Sequence, residues 1–235
     1  MFEDYVSHFE ELRRRLLTAL AVWALASLAC WFFSHQLIEF LTEPLRRFRE
    51  TQLFFDKPYE AFLTHLKAAM LCGLIISSPV ILTQIWFFVA PGLYPGEKKI
   101  LLPLAGASVL LFLAGVFFAY AVAVPWGLGF LLEFQTASLR PLIGIGPYFS
   151  FLTGMILAFG LLFDFPVFVV GLVRLGVVSV QTLEGLRRPI IVILFVVAAI
   201  LTPSPDPVSQ MILALPLWLL FEVSLRVARR SEKPA

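Results

Sequence analysis

The chain has 235 residues, of which 60% are hydrophobic and only 14% are charged, and its mean hydropathy is +0.90. A soluble domain is roughly 45–50% apolar and about 25% charged. These figures therefore exclude a lone water-soluble domain, and they exclude disorder, which needs more charge and fewer aromatics. The formal net charge of +2, from 18 basic and 16 acidic residues, is no basic footprint for nucleic acid. What remains is a multi-span membrane protein.

The N-terminal region imitates a lipoprotein signal, with Arg13, Arg14 and Arg15, then an apolar run, then Ala26-Ser27-Leu28-Ala29-Cys30. A cleaved signal opens on its positive region. Here Glu3, Asp4, Glu10 and Glu11 come first, and Trp31-Phe32-Phe33 prolongs the apolar run. The segment reads as an uncleaved first span. No transit peptide is recognised, so a multi-pass protein of a prokaryotic plasma (inner) membrane is expected.

About 20 apolar residues cross a bilayer. One integral membrane domain over residues 1–235 is expected, with spans at about 16–34, 68–90, 101–132, 147–173, 189–202 and 207–225. The last two are short, which calls for local thinning of the bilayer or a shallow hairpin. With both termini inside, twelve lysines and arginines fall on the inner loops, against five outside at Arg46, Arg47, Arg49, Lys57 and Arg140. That asymmetry sets an N-in, C-in orientation. The first outer loop reads as an amphipathic cap through Leu37–Leu41 and Pro44-Leu45. Pro79, Pro125, Pro166 and Pro216 each remove a backbone donor and kink a helix. The expected fold is all-α: six helices bent by proline.

No metalloprotease, nucleophile-elbow or P-loop motif is present. His8, His35 and His65 avoid the span centres. No enzyme, cofactor or metal is expected. Cys30 and Cys72 read as small apolar packing residues.

Three acids stand out. Ser7-x-x-Glu10 suggests a capping box opening the first helix. Glu10–Arg14 and Glu11–Arg15 are i,i+4 pairs worth about 0.2–0.5 kcal/mol each. Glu97 sits in the inner turn Pro91–Lys99. Glu11 and Glu97 read either as a helix pair and a solvated loop charge, or as two carboxylates at one surface, each able to take a guanidinium. Asp164, in Phe163-Asp164-Phe165-Pro166, is costly at membrane depth. It marks a cavity or partner contact, or else bonds the carbonyl that Pro166 frees. Asp206, in a proline-dense outer turn, is placed to cap span six.

In this order and spacing the chain resembles the TatC family, the multi-span subunit of the twin-arginine protein translocase. The resemblance rests on His8-Phe9-Glu10-Glu11-Leu12-Arg13-Arg14-Arg15, Pro44-Leu45, Pro58-x-Glu60-x-Phe62 with Lys67, and Pro79 to Tyr94 with Glu97. It rests also on Phe159 to Val167, Arg188-Pro189, Leu201-Thr202-Pro203 with Asp206, Ser209-Gln210, and Pro216 with Phe221-Glu222. It implies a glove-like six-helix bundle. It further implies a receptor for signal peptides of folded precursor proteins, driven in its transport step by the proton gradient. By motif, Glu11 and Glu97 would meet the paired arginines, with Arg15, Phe88, Leu93 and Tyr94 in the same patch. Asp164 replaces the family's usual Glu or Gln where a single-span TatA/TatB-type subunit touches. Pro44 and Asp206 match outer-cap positions tied to assembly. Self-association and membrane lipid complete the implied partners. A proton-coupled small-solute transporter is the alternative; it would call for midplane polar groups on several spans and inverted repeats.

Overall fold

The structure, a computed structural model, describes residues 2–47, 53–89, 98–133, 142–201 and 207–231. Nine α-helices are described: α1 (Phe2–Trp31), α2 (Ser34–Arg46), α3 (Glu60–Val89), α4 (Lys98–Phe118), α5 (Val124–Glu133), α6 (Ile145–Arg174), α7 (Val180–Gly185), α8 (Arg187–Leu201) and α9 (Pro207–Ser231). A π-helical segment, Ala119–Ala123, joins α4 to α5. Two strands of two residues each, β1 (Leu53–Phe54) and β2 (Ile143–Gly144), pair in parallel with Leu53 opposite Ile143. This small pairing is the one departure from an all-α chain among the described residues.

Four helical stretches are long and apolar enough to cross a membrane among the described residues: Phe9–Trp31, Glu60–Phe88, Leu101–Glu133 and Ile145–Arg174. They overlap the first four expected spans, with the first two beginning at Phe9 and Glu60 where residues 16 and 68 are expected. α8 has 15 residues, and α9 has 25 but carries charge along its second half. α8 is short, whereas α9 runs past the expected residue 225 to Ser231. α1 begins at Phe2, so Ser7 lies inside the helix and does not cap it. A helix that starts five residues earlier overrides the local capping signal. At its other end α1 stops at Trp31, short of residue 34, and the turn is closed by the Phe33 amide donating to the Cys30 carbonyl at 3.0 Å.

The chain forms two compact units: residues 1–42 with 55–110, and residues 43–54 with 111–235. In the first, α1 packs antiparallel along α3, and the Trp23 indole donates to the Met70 carbonyl at 3.0 Å. The Trp86 indole donates to the Ser108 hydroxyl at 2.8 Å, tying α3 to α4 within a buried contact. In the second, α6 is the central element. Phe149, Leu152, Ile156 and Phe159 are fully buried along it, and α9 lies against it with Phe221 buried. Gly160 lets α6 approach α4, since a methyl there would stand 2.7 Å from the Phe112 ring.

The prolines sit where the sequence places them, inside helices that continue through them: Pro79 in α3, Pro166 in α6 and Pro216 in α9. Pro125 lies two residues past the π-helical segment, after Val124, whose amide donates five residues back to the Ala119 carbonyl. A widened turn before a proline accommodates its missing donor and its ring. The loop before α6, which carries no recognisable motif, supplies β2.

Candidate functional site

The site is built from the middle turns of α1 and the last turns of α3. Glu11 and Arg15 are one helical turn apart on α1, so their side chains share a face. Arg15 donates to Glu11 Oε1 through Nε at 3.0 Å and through Nη2 at 2.5 Å. Its third nitrogen, Nη1, donates to Gln84 Oε1 at 3.3 Å across to α3. The guanidinium also lies over the Phe87 ring, 5.8 Å from its centroid, within cation–π range. Arg15 is thereby fixed on three sides.

Beside it opens a cavity of about 630 Å3 lined by Glu10, Glu11, Arg14, Arg15, Thr18 and Gln84. The Thr18 hydroxyl is turned inward on its own helix, donating to the Arg14 carbonyl at 2.8 Å. Both hydrogen bonds into Glu11 fall on Oε1, and among the described residues none falls on Oε2. One oxygen of Glu11 thus remains open at the cavity for a further cationic donor. The companion pair differs from expectation: Glu10 and Arg14 both line the cavity, yet among the described residues no ion pair closes between them. Arg14 is free to act as a cavity charge.

The structure brings Glu11 and Arg15 together as the spacing foretold. Phe88 lies half-buried on the last turn of α3, adjacent to the ring that carries the cation–π contact. Glu97, Leu93 and Tyr94 lie outside the described residues, as does Asp206. Gln84 and Phe87 hold Arg15 from α3, and a site reading by charge misses both. The available signal was an amide side chain, Gln84, in the closing turns of a span that is otherwise apolar.

Two other expected positions belong to the second unit. Pro44 is fully buried near the end of α2, next to Leu45 at 1% exposure. Asp164 is half-buried in α6, and its buried Oδ1 has no hydrogen-bond partner among the described residues. That oxygen is an unmet acceptor in the apolar interior of α6.

The family model for the Sec-independent protein translocase protein TatC matches residues 7–216. The chain belongs to the TatC family. It is 37% identical over 222 residues to the TatC of Carboxydothermus hydrogenoformans, covering 94% of this chain and 91% of that protein. It is 36% identical over 232 residues to the TatC of Aquifex aeolicus, covering 96% of each. Its fold matches a crystal structure described as the twin-arginine translocase receptor TatC in the detergent DDM, with a TM-score of 0.82 and 36% identity over 94% of this chain and 99% of that one. The chain is accordingly a membrane-embedded protein translocase component, and the family is one of transport proteins, with no enzymatic family indicated. This membership overturns the small-solute transporter reading.

Proposed function

We propose that this chain is the receptor subunit of a twin-arginine translocase in a prokaryotic inner membrane, with both termini on the cytoplasmic side. It takes up signal peptides that bear paired arginines and nucleates the passage of folded precursors. The observation that carries the reading is Glu11: at an open cavity it already holds one guanidinium on Oε1, and it keeps Oε2 available. A carboxylate in that state can accept a second guanidinium, or exchange its own for an incoming one, through charge-assisted bonds. Glu97 would supply the second carboxylate from the turn after α3, with Leu93, Tyr94 and Phe88 shaping the patch. The apolar stretch of the signal peptide would then lie along the spans.

The unpaired Asp164 oxygen supports a docking role for a single-span TatA/TatB-type subunit that brings a donor to it. Pro44 and Asp206 would serve assembly at the outer face. The family resemblance gives the proton gradient as the driving force.

Site-specific photocrosslinking tests the reading. A photoreactive residue replacing Thr18, on the cavity wall, should capture a precursor with a paired-arginine signal and should not capture its paired-lysine counterpart. Equal capture of both would refute the placement of the site.

A further inference from the structure

α8 opens with Arg187 and Arg188, at a helix end where the backbone dipole favours anions. Arg187 is compensated: its Nη2 donates to Glu222 Oε2 on α9 at 2.7 Å. Glu184 of α7 accepts from Arg229 Nε, also on α9, at 2.6 Å. Glu222, Arg226, Arg229 and Arg230 share one side of α9, because steps of four, seven and eight residues return to the same face. Arg226 therefore stands between two ion pairs, about one turn from each. Both acids of the cluster are already engaged. Five arginines against two glutamates leave three cations, Arg188, Arg226 and Arg230, exposed and without an ion pair among the described residues.

Apolar residues stand beside them: Leu186, Val223 and Val227 are 46%, 49% and 42% exposed. Three uncompensated guanidiniums next to exposed aliphatic side chains match a ligand with a phosphate at one end and hydrocarbon at the other. Planar guanidinium forks suit phosphate oxygens. An acidic protein segment would satisfy the cations and leave the aliphatic residues without a counterpart. We infer that Arg188, Arg226 and Arg230 form a docking surface for the phosphate headgroup of an anionic phospholipid, whose acyl chains lie along Leu186, Val223 and Val227.

The full chain, reconstituted in nanodiscs of phosphatidylcholine with a minority of phosphatidylglycerol, gives the test. Native mass spectrometry after release counts the lipids retained. Phosphatidylglycerol should be enriched about tenfold over its share of the bilayer, the equivalent of one charge-assisted bond. The double variant Arg188→Gln/Arg226→Gln should fall to that share, while Arg13→Gln, at another exposed arginine, should keep the enrichment. Glycerol phosphate in solution should not displace the lipid. Retention in proportion to the bilayer, or enrichment that survives the double variant, would overturn the inference. So would displacement by glycerol phosphate, which would make this a free-phosphate site, or preferential binding of a polyglutamate peptide, which would make it a protein-docking surface. The wild-type comparison of the two lipids stands whatever the variants do to folding.

Discussion

Gly73 of α3 lies against Ser27 of α1 so closely that a methyl group on Gly73 would overlap the Ser27 Cα, backbone nitrogen and hydroxyl. This contact lies between the two helices that carry the candidate site, roughly three turns from Arg15 and Gln84. Backbone atoms are the obstacle, so rotation of the Ser27 side chain cannot relieve it. Gly73→Ala should destabilise the protein by about 1–3 kcal/mol through overpacking. Because α1 must move to make room, the Arg15–Gln84 bond should loosen as well. A thermal melt in detergent, with signal-peptide affinity measured alongside, checks both effects. Ser27→Ala should be close to neutral, since the hydroxyl it removes is buried and has no partner.

The Ser78 hydroxyl donates to the Ile75 carbonyl at 2.7 Å. That carbonyl is the one four residues before Pro79, which has no amide hydrogen to offer it. The side chain replaces the missing helical donor, as serines do in spans that contain proline. Ser78→Ala should cost about 1–3 kcal/mol, the range for orphaning a buried acceptor. In a Pro79→Ala background the same change should cost much less, because the restored amide takes over. A double-mutant cycle on thermal stability measures the difference.

Asp164 should separate stability from function. Its buried Oδ1 has no partner among the described residues. Asp164→Leu should therefore stabilise the isolated chain by about 1–3 kcal/mol, the scale for an unpaired polar group removed from an apolar site. If the carboxyl receives a single-span subunit, the same variant should lose co-purification of that subunit and should lose transport. A pull-down from membranes expressing both proteins, beside a melt of the chain alone, reads the two quantities. Undiminished co-purification and transport would remove Asp164 from that role.

Much of this organisation is legible along the chain. The four long spans follow from long, predominantly apolar runs, and the Glu11–Arg15 contact follows from a spacing of one helical turn. What joins Arg15 to Gln84 and Phe87 is less visible, because 69 and 72 residues separate them and only the antiparallel packing of α1 on α3 closes the gap. The start of α1 at Phe2 defeats the Ser7 capping signal, since a local cap motif is outweighed when the residues before it are also helical. The π-helical segment before Pro125 and the pairing of β1 with β2 leave no periodic mark. The first is a single widened turn, and the second joins segments 90 residues apart.

In the proposed receptor role, Glu11 receives an arginine of the signal peptide. The most direct measurement is the affinity of the purified protein for a paired-arginine signal peptide against a paired-lysine control, for the wild type and for Glu11→Ala. The paired-arginine peptide should bind more tightly. The variant should lose about 1.5–3 kcal/mol, for one charge-assisted bond, which is roughly 10- to 150-fold in affinity. Equal binding of the two peptides by the wild type, or an unchanged preference in Glu11→Ala, would contradict this and return Glu11 to the role of a helix-surface partner for Arg15.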